Sequence, residues 1–216
     1  MSKTSKMIMG AALLATAVTA ILPAQAATHD VMVGYEAMDI DFGAMGVLDV
    51  DTATISSTGS YDSGLSYELD IAEVTVEGMS DTTYAALDVH YAPGLFGVGA
   101  KYATFSTGDD MLELGASANY EWNGVDAYAN LVTNVEDLGE VIRVEVGGSY
   151  DVNHMATVSA EIRDGWAYGV AAPAVIDVDT RVHLIEGTFV EVGYSTNLQE
   201  SAAPFNAYAM GVGFAF

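Results

Sequence analysis

Cysteine is absent from the 216-residue chain. That excludes a disulfide framework, thiol catalysis and thiolate metal sites. Basic residues are almost as scarce. Six Lys and Arg stand against 30 Asp and Glu, for a formal charge of −24. With no basic surface to neutralise phosphates, the composition excludes nucleic-acid binding. After the first 26 residues no stretch approaches the ~18 consecutive apolar residues of a spanning helix. A mature chain that crosses a membrane would therefore do so as a closed barrel. His29, His90, His154 and His183 lack metal-ligand spacing. Asp49 and Asp51 are not followed by the glycine and terminal glutamate of a calcium loop. No cofactor is implied.

What is present begins with an export signal. Lys3 and Lys6 form a basic start, Met7 to Leu22 is almost wholly apolar or small, and Pro23-Ala24-Gln25-Ala26 ends in an A-x-A cleavage pattern. Residues 1–26 read as a cleaved signal peptide and 27–216 as one mature domain. Lys101, Arg143, Arg163 and Arg181 are then the mature chain's only Lys and Arg. The acidity has two accounts, a solubility adaptation to a salty habitat or a functional acidic field.

The C-terminus is the most informative segment. Tyr208, Met210, Val212, Phe214 and Phe216 alternate with Ala207, Ala209, Gly211, Gly213 and Ala215. One face is large and apolar, and the other is tiny rather than polar. A strand with lipid on one side and a crowded barrel interior on the other has this pattern.

Turn signals recur about every 30 residues, a repeat of hairpins. They are Asp62-Ser63-Gly64, Pro93-Gly94, Asn123-Gly124, Asp151-Val152-Asn153 and, after a longer interval, Glu186-Gly187. The spacing predicts twelve strands, at 30–41, 46–61, 65–77, 82–92, 95–106, 111–122, 125–135, 140–151, 154–163, 177–185, 188–197 and 205–216. Ten is the alternative. An even number suits an all-β, up-and-down antiparallel transmembrane barrel. The stretch from Asp164 to Ile176, with Trp166, Tyr168 and Pro173, reads as the longest loop.

Parity supports the same picture. In the sixth strand Leu112, Leu114, Ala116, Ala118, Tyr120 and Trp122 oppose Glu113, Gly115, Ser117, Asn119 and Glu121. The third, fourth and eighth strands likewise carry an apolar face with no charge on it. A soluble sandwich makes the same alternation with its apolar face inward. Tyr91, Tyr120, Trp122 and Tyr150 fall on the apolar face beside the tight turns, where an interfacial girdle belongs.

Signal peptide, acidic mature chain, hairpin repeat and terminal Phe216 together resemble Gram-negative porins, in a style similar to the general-diffusion porins of alphaproteobacteria. The resemblance implies an outer-membrane location, a C-terminal strand read by the barrel-assembly machinery, contact with outer-membrane lipid, and passage of ions or small solutes. The chain departs from the sixteen-stranded members in being much shorter, with no long inward loop.

All four cations share the polar face, so a barrel would turn them into its lumen. The candidate lumen residues are Glu68, Asp70, Asp88, Lys101, Glu113, Arg143, Glu145, Glu161, Arg163, Arg181 and Glu191. Charged rings set selectivity in pores, and an excess of carboxylates predicts cation preference. The other reading is a plug built on an Arg143–Glu161 salt-bridge network. An enzyme is not expected. His154 and Ser159 are five apart and face opposite sides of a strand, and no serine joins Asp88 and His90 within theirs.

Overall fold

The computed structural model describes residues 28–107, 110–136, 138, 141–167, 170–185, 187–198 and 203–216. The signal segment 1–26 lies outside the described residues. The strands are β1 (Thr28–Asp41), β2 (Val47–Ser60), β3 (Leu65–Val76), β4 (Thr82–Tyr91), β5 (Phe96–Phe105), β6 (Met111–Trp122), β7 (Val125–Asn134), β8 (Val141–Asn153), β9 (Ala156–Ala167), β10 (Val170–Ile185), β11 (Thr188–Asn197) and β12 (Phe205–Ala215). Each pairs antiparallel with its sequence neighbours, and β1 pairs with β12 to close the barrel. Closure settles twelve strands over ten and a barrel over a sandwich. At 10 to 16 residues, every strand can cross an apolar layer when tilted.

The alternation sorts side chains as expected. Tyr208, Met210, Val212, Phe214 and Phe216 are 51–79% exposed on the outer surface, while Ala207 on the inner face is 1% exposed. Tyr91, Tyr120, Trp122 and Tyr150 also face outward. The interior is packed thinly with apolar groups. Among the described residues Phe189 is the one large side chain fully buried. A two-residue hairpin joins β6 to β7 at Asn123-Gly124, where both residues have positive φ, 49° and 76°. That is the backbone of a type I′ turn, whose twist matches the strands it connects.

Two expectations are corrected. The stretch 164–176 is not a long loop. β9 runs to Ala167, β10 resumes at Val170, and Trp166 pairs with Ala171 across the hairpin. Glycine at 165 and proline at 173 imitate a break in the sequence. Pro173 is accommodated at a register shift between Ala172 and Val175, one of the few places a sheet tolerates proline. The turn at Asp151-Val152-Asn153 is also displaced. Those residues finish β8 through a bulge between Asp151 and Asn153, and the chain turns at His154 and Met155.

Candidate functional site

The register places all eleven candidate lumen residues on the inner face. One ladder row carries Asp30, Thr58, Glu68, Asp88, Lys101, Glu113 and Asn134 from β1 to β7, each opposite the next. Asp70 sits two residues further along β3. Because the period of a strand is two, one inward carboxylate brings its row partners inward with it.

Three arginines each hold two carboxylates. Arg143 forks onto Glu113, with Nη1 and Nη2 at 3.0 and 3.2 Å from its two oxygens, and its Nε lies 2.6 Å from Glu145. Arg163 reaches Asp177 at 2.7 Å and Glu161 at 3.3 Å. Arg181 reaches Asp30 at 2.6 Å and Glu191 at 2.9 Å. Paired, charge-assisted bonds of this kind are the strong ones. Arg181 also lies over the Phe189 ring, 4.1 Å from its centre, and that ring fills the place a side chain on Gly213 would take.

The expected Arg143–Glu161 network is replaced by these triads. Among the described residues no ion pair joins the two. Glu161 stands opposite Gly147, four residues along β8 from Arg143 and therefore roughly 13 Å away. Glu113 comes within reach because Arg143 crosses β7. Each triad spans neighbouring strands or strands two or three apart, so it runs along the wall instead of across the lumen.

Sequence reasoning missed Asp30 and Asp177 as arginine partners. It also missed Tyr128, whose hydroxyl donates to Glu161, and Asn130, whose amide donates to Glu145 at 3.1 Å. Inward parity was the available signal for all four. Their partners depend on cross-strand register, which no single strand displays.

The structure also supplies a serine to His90 from another strand. Ser117 Oγ on β6 lies 2.7 Å from His90 Nε2 on β4, across β5. Gly97 and Gly99 make this possible. A Cβ on Gly97 would come 2.6 Å from Ser117 Oγ, and one on Gly99 would come 3.0 Å from the imidazole. Among the described residues His90 has no hydrogen-bonded partner orienting its second nitrogen, as a nucleophile's base requires.

The inner face encloses a cavity of about 900 Å³ bordered by Glu68, Asp88, Lys101, Glu113, Arg143 and Arg163. A second space of about 200 Å³ is bordered by Glu36, Glu68, Asp70, Asp179 and Glu191, together with Gly34, Gly193 and Gly211. The wall of the larger space is mostly polar, and that space has room for on the order of tens of waters.

No protein-family model matches the chain, and no curated protein matches it. Solved structures do match. The NanC porin aligns over 84% of this chain and 98% of its own, with TM-score 0.62 and 11% identity. An outer membrane channel from Pseudomonas putida F1 aligns over 90% and 97%, with TM-score 0.59 and 12% identity. The KdgM porin in complex with disordered oligogalacturonate aligns over 86% and 99%, with TM-score 0.59 and 10% identity. The fold is the closed antiparallel barrel seen in these outer-membrane porins and channels. These likenesses are of architecture, and they leave the solute to be argued from the lumen.

Proposed function

We propose that the chain is exported, inserts in the bacterial outer membrane, and forms a passive channel for ions or small hydrophilic solutes with a preference for cations. The observation that carries this reading is the inner face. Around a cavity of about 900 Å³ Arg143 and Arg163 are each outnumbered two to one by their own carboxylates and Asp88 adds negative charge without an arginine partner, and Glu36, Asp70 and Asp179 do the same around the second space. Rings of carboxylate favour cations. Wall-hugging ion pairs favour an open lumen over a plugged one. The apolar outer surface and the girdle of Tyr91, Tyr120, Trp122 and Tyr150 suit lipid, and the alternating β12, with Phe216 following it, suits recognition by the assembly machinery. A neighbour in fold carries oligogalacturonate, an acidic sugar chain; the negative lumen here disfavours such a polyanion.

The test is single-channel recording of the refolded mature protein in a planar bilayer under a salt gradient. Steady steps with a cation-selective reversal potential are expected. A folded, inserted barrel that stays silent would overturn the channel reading in favour of a structural or surface-interaction barrel.

A further inference from the structure

Lys101 differs from the other lumen cations. Arg143, Arg163 and Arg181 are each committed to two carboxylates within 3.3 Å. Among the described residues no carboxylate lies within 4.0 Å of the Lys101 ammonium, although Asp88 and Glu113 flank it in the ladder row. It sits in the field of Glu68, Asp70 and Asp88, beside Tyr84, and borders the larger cavity. Glu68 borders both cavities. An ammonium on a flexible four-carbon stem is a compact point charge, unlike a forked guanidinium locked between two partners.

We propose that Lys101 is the selectivity-setting residue of the lumen, a tethered cation that competes with permeating small cations for the Glu68, Asp70 and Asp88 carboxylates. This rests on the channel reading and deepens it. The arginines fix the wall, since moving one leaves two carboxylates unpaired. Lys101 can swing aside without breaking an ion pair. Each passing cation then exchanges places with the ammonium, and the strength of cation preference reflects how much of the acidic group's field Lys101 cancels.

The experiment is the reversal potential of Lys101→Met in a potassium chloride gradient. The expected result is a rise of about threefold to tenfold in the cation-to-anion permeability ratio. That is the Boltzmann factor of one unit charge a few ångströms from the ion path in a largely aqueous lumen. A second variant guards against misfolding. The chain has no cysteine, so Lys101→Cys is a unique label site. A thiosulfonate bearing an ammonium should restore the parental ratio in the folded, inserted variant, and one bearing a sulfonate should push selectivity beyond that of Lys101→Met. A conducting parent whose ratio moves in neither variant would overturn this proposal alone. A silent parent would overturn the channel reading and this proposal with it.

Discussion

Two walls of the barrel solve the same problem differently. On β6 to β10 the inner face is built of long polar side chains that bind one another: Glu113, Arg143 and Glu145, then Glu161, Arg163 and Asp177, with Tyr128 and Asn130 attached. On β12, with Gly193 of β11 and Gly34 of β1 beside it, it is built largely of very small residues: Ala207, Ala209, Gly211, Gly213 and Ala215. The tight-turn end of the small wall is filled by Phe189 and Arg181, while further along it stays open beneath Glu36 and Asp179. The first wall holds charge by neutralising it. The second leaves room; its Asp30 and Glu191 share Arg181, while Glu36, and Asp179 at its border with β10, make no ion pair among the described residues. On the proposed channel reading, substitutions in the first wall should move stability, and loss of the unpaired carboxylates beside the second should move selectivity.

The largest effect should come from filling the small wall where it is already filled. Gly213→Val would place methyl groups where the Phe189 ring lies and push Arg181 off Asp30 and Glu191. Overpacking of this kind costs about 1–3 kcal/mol before the ion pairs are counted. A sharp drop in the heat-modifiable folded band and in the urea midpoint is expected. Gly34→Ala is the matched control. Its added Cβ would meet the Met210 carbonyl at 3.6 Å and the Met32 methyl at 4.0 Å, ordinary contacts, so its midpoint should hardly move.

Breaking the clamped wall should come next. Arg143→Met strands Glu113, which is only 5% exposed, and leaves Glu145 with the Asn130 amide alone. A loss of roughly 1–3 kcal/mol is expected from leaving charge-assisted bonds unmade. Arg163→Met should cost less, because Arg163 is more exposed than Arg143 and Glu161 keeps its bond from Tyr128. Urea titrations followed by tryptophan fluorescence would rank the two. Equal losses would mean that burial does not set the worth of these pairs.

The open wall should show the reverse signature. Glu36→Gln with Asp179→Asn removes two carboxylates that make no ion pair among the described residues. The reversal potential in a salt gradient should shift toward zero while the unfolding midpoint stays put. A large stability loss with unchanged selectivity would erase the division between the walls.

How much of this was legible before folding depends on the range of the interaction. Parity along a strand is local, so the inward turn of Glu68, Lys101, Arg143 and Glu191 was readable from residues two apart. The partner of an inward residue is not local. Arg143 meets Glu113 across β7, Arg181 meets Asp30 across β11 and β12, and His90 meets Ser117 across β5, each through register and ring closure. Gly165 and Pro173 misled for a local reason, since a bulge inside a strand and a loop between strands draw on the same residues.

The smallest predicted effect isolates the clamped wall from ion flow. Tyr128 donates its hydroxyl to Glu161 and lies where a side chain on Gly147 would otherwise stand. Tyr128→Phe keeps the ring and removes only the donor. Glu161 retains Arg163 at 3.3 Å, so no carboxylate is left without a partner. A loss of about 1 kcal/mol is expected, the ordinary net worth of one hydrogen bond near lumen water. Selectivity should not change, because the charge on Glu161 and its cation are both still in place. If Tyr128→Phe instead moves the reversal potential as far as the Glu36 and Asp179 pair does, the hydroxyl is holding Glu161 out of the ion path. The clamped wall would then share in selectivity rather than only in stability.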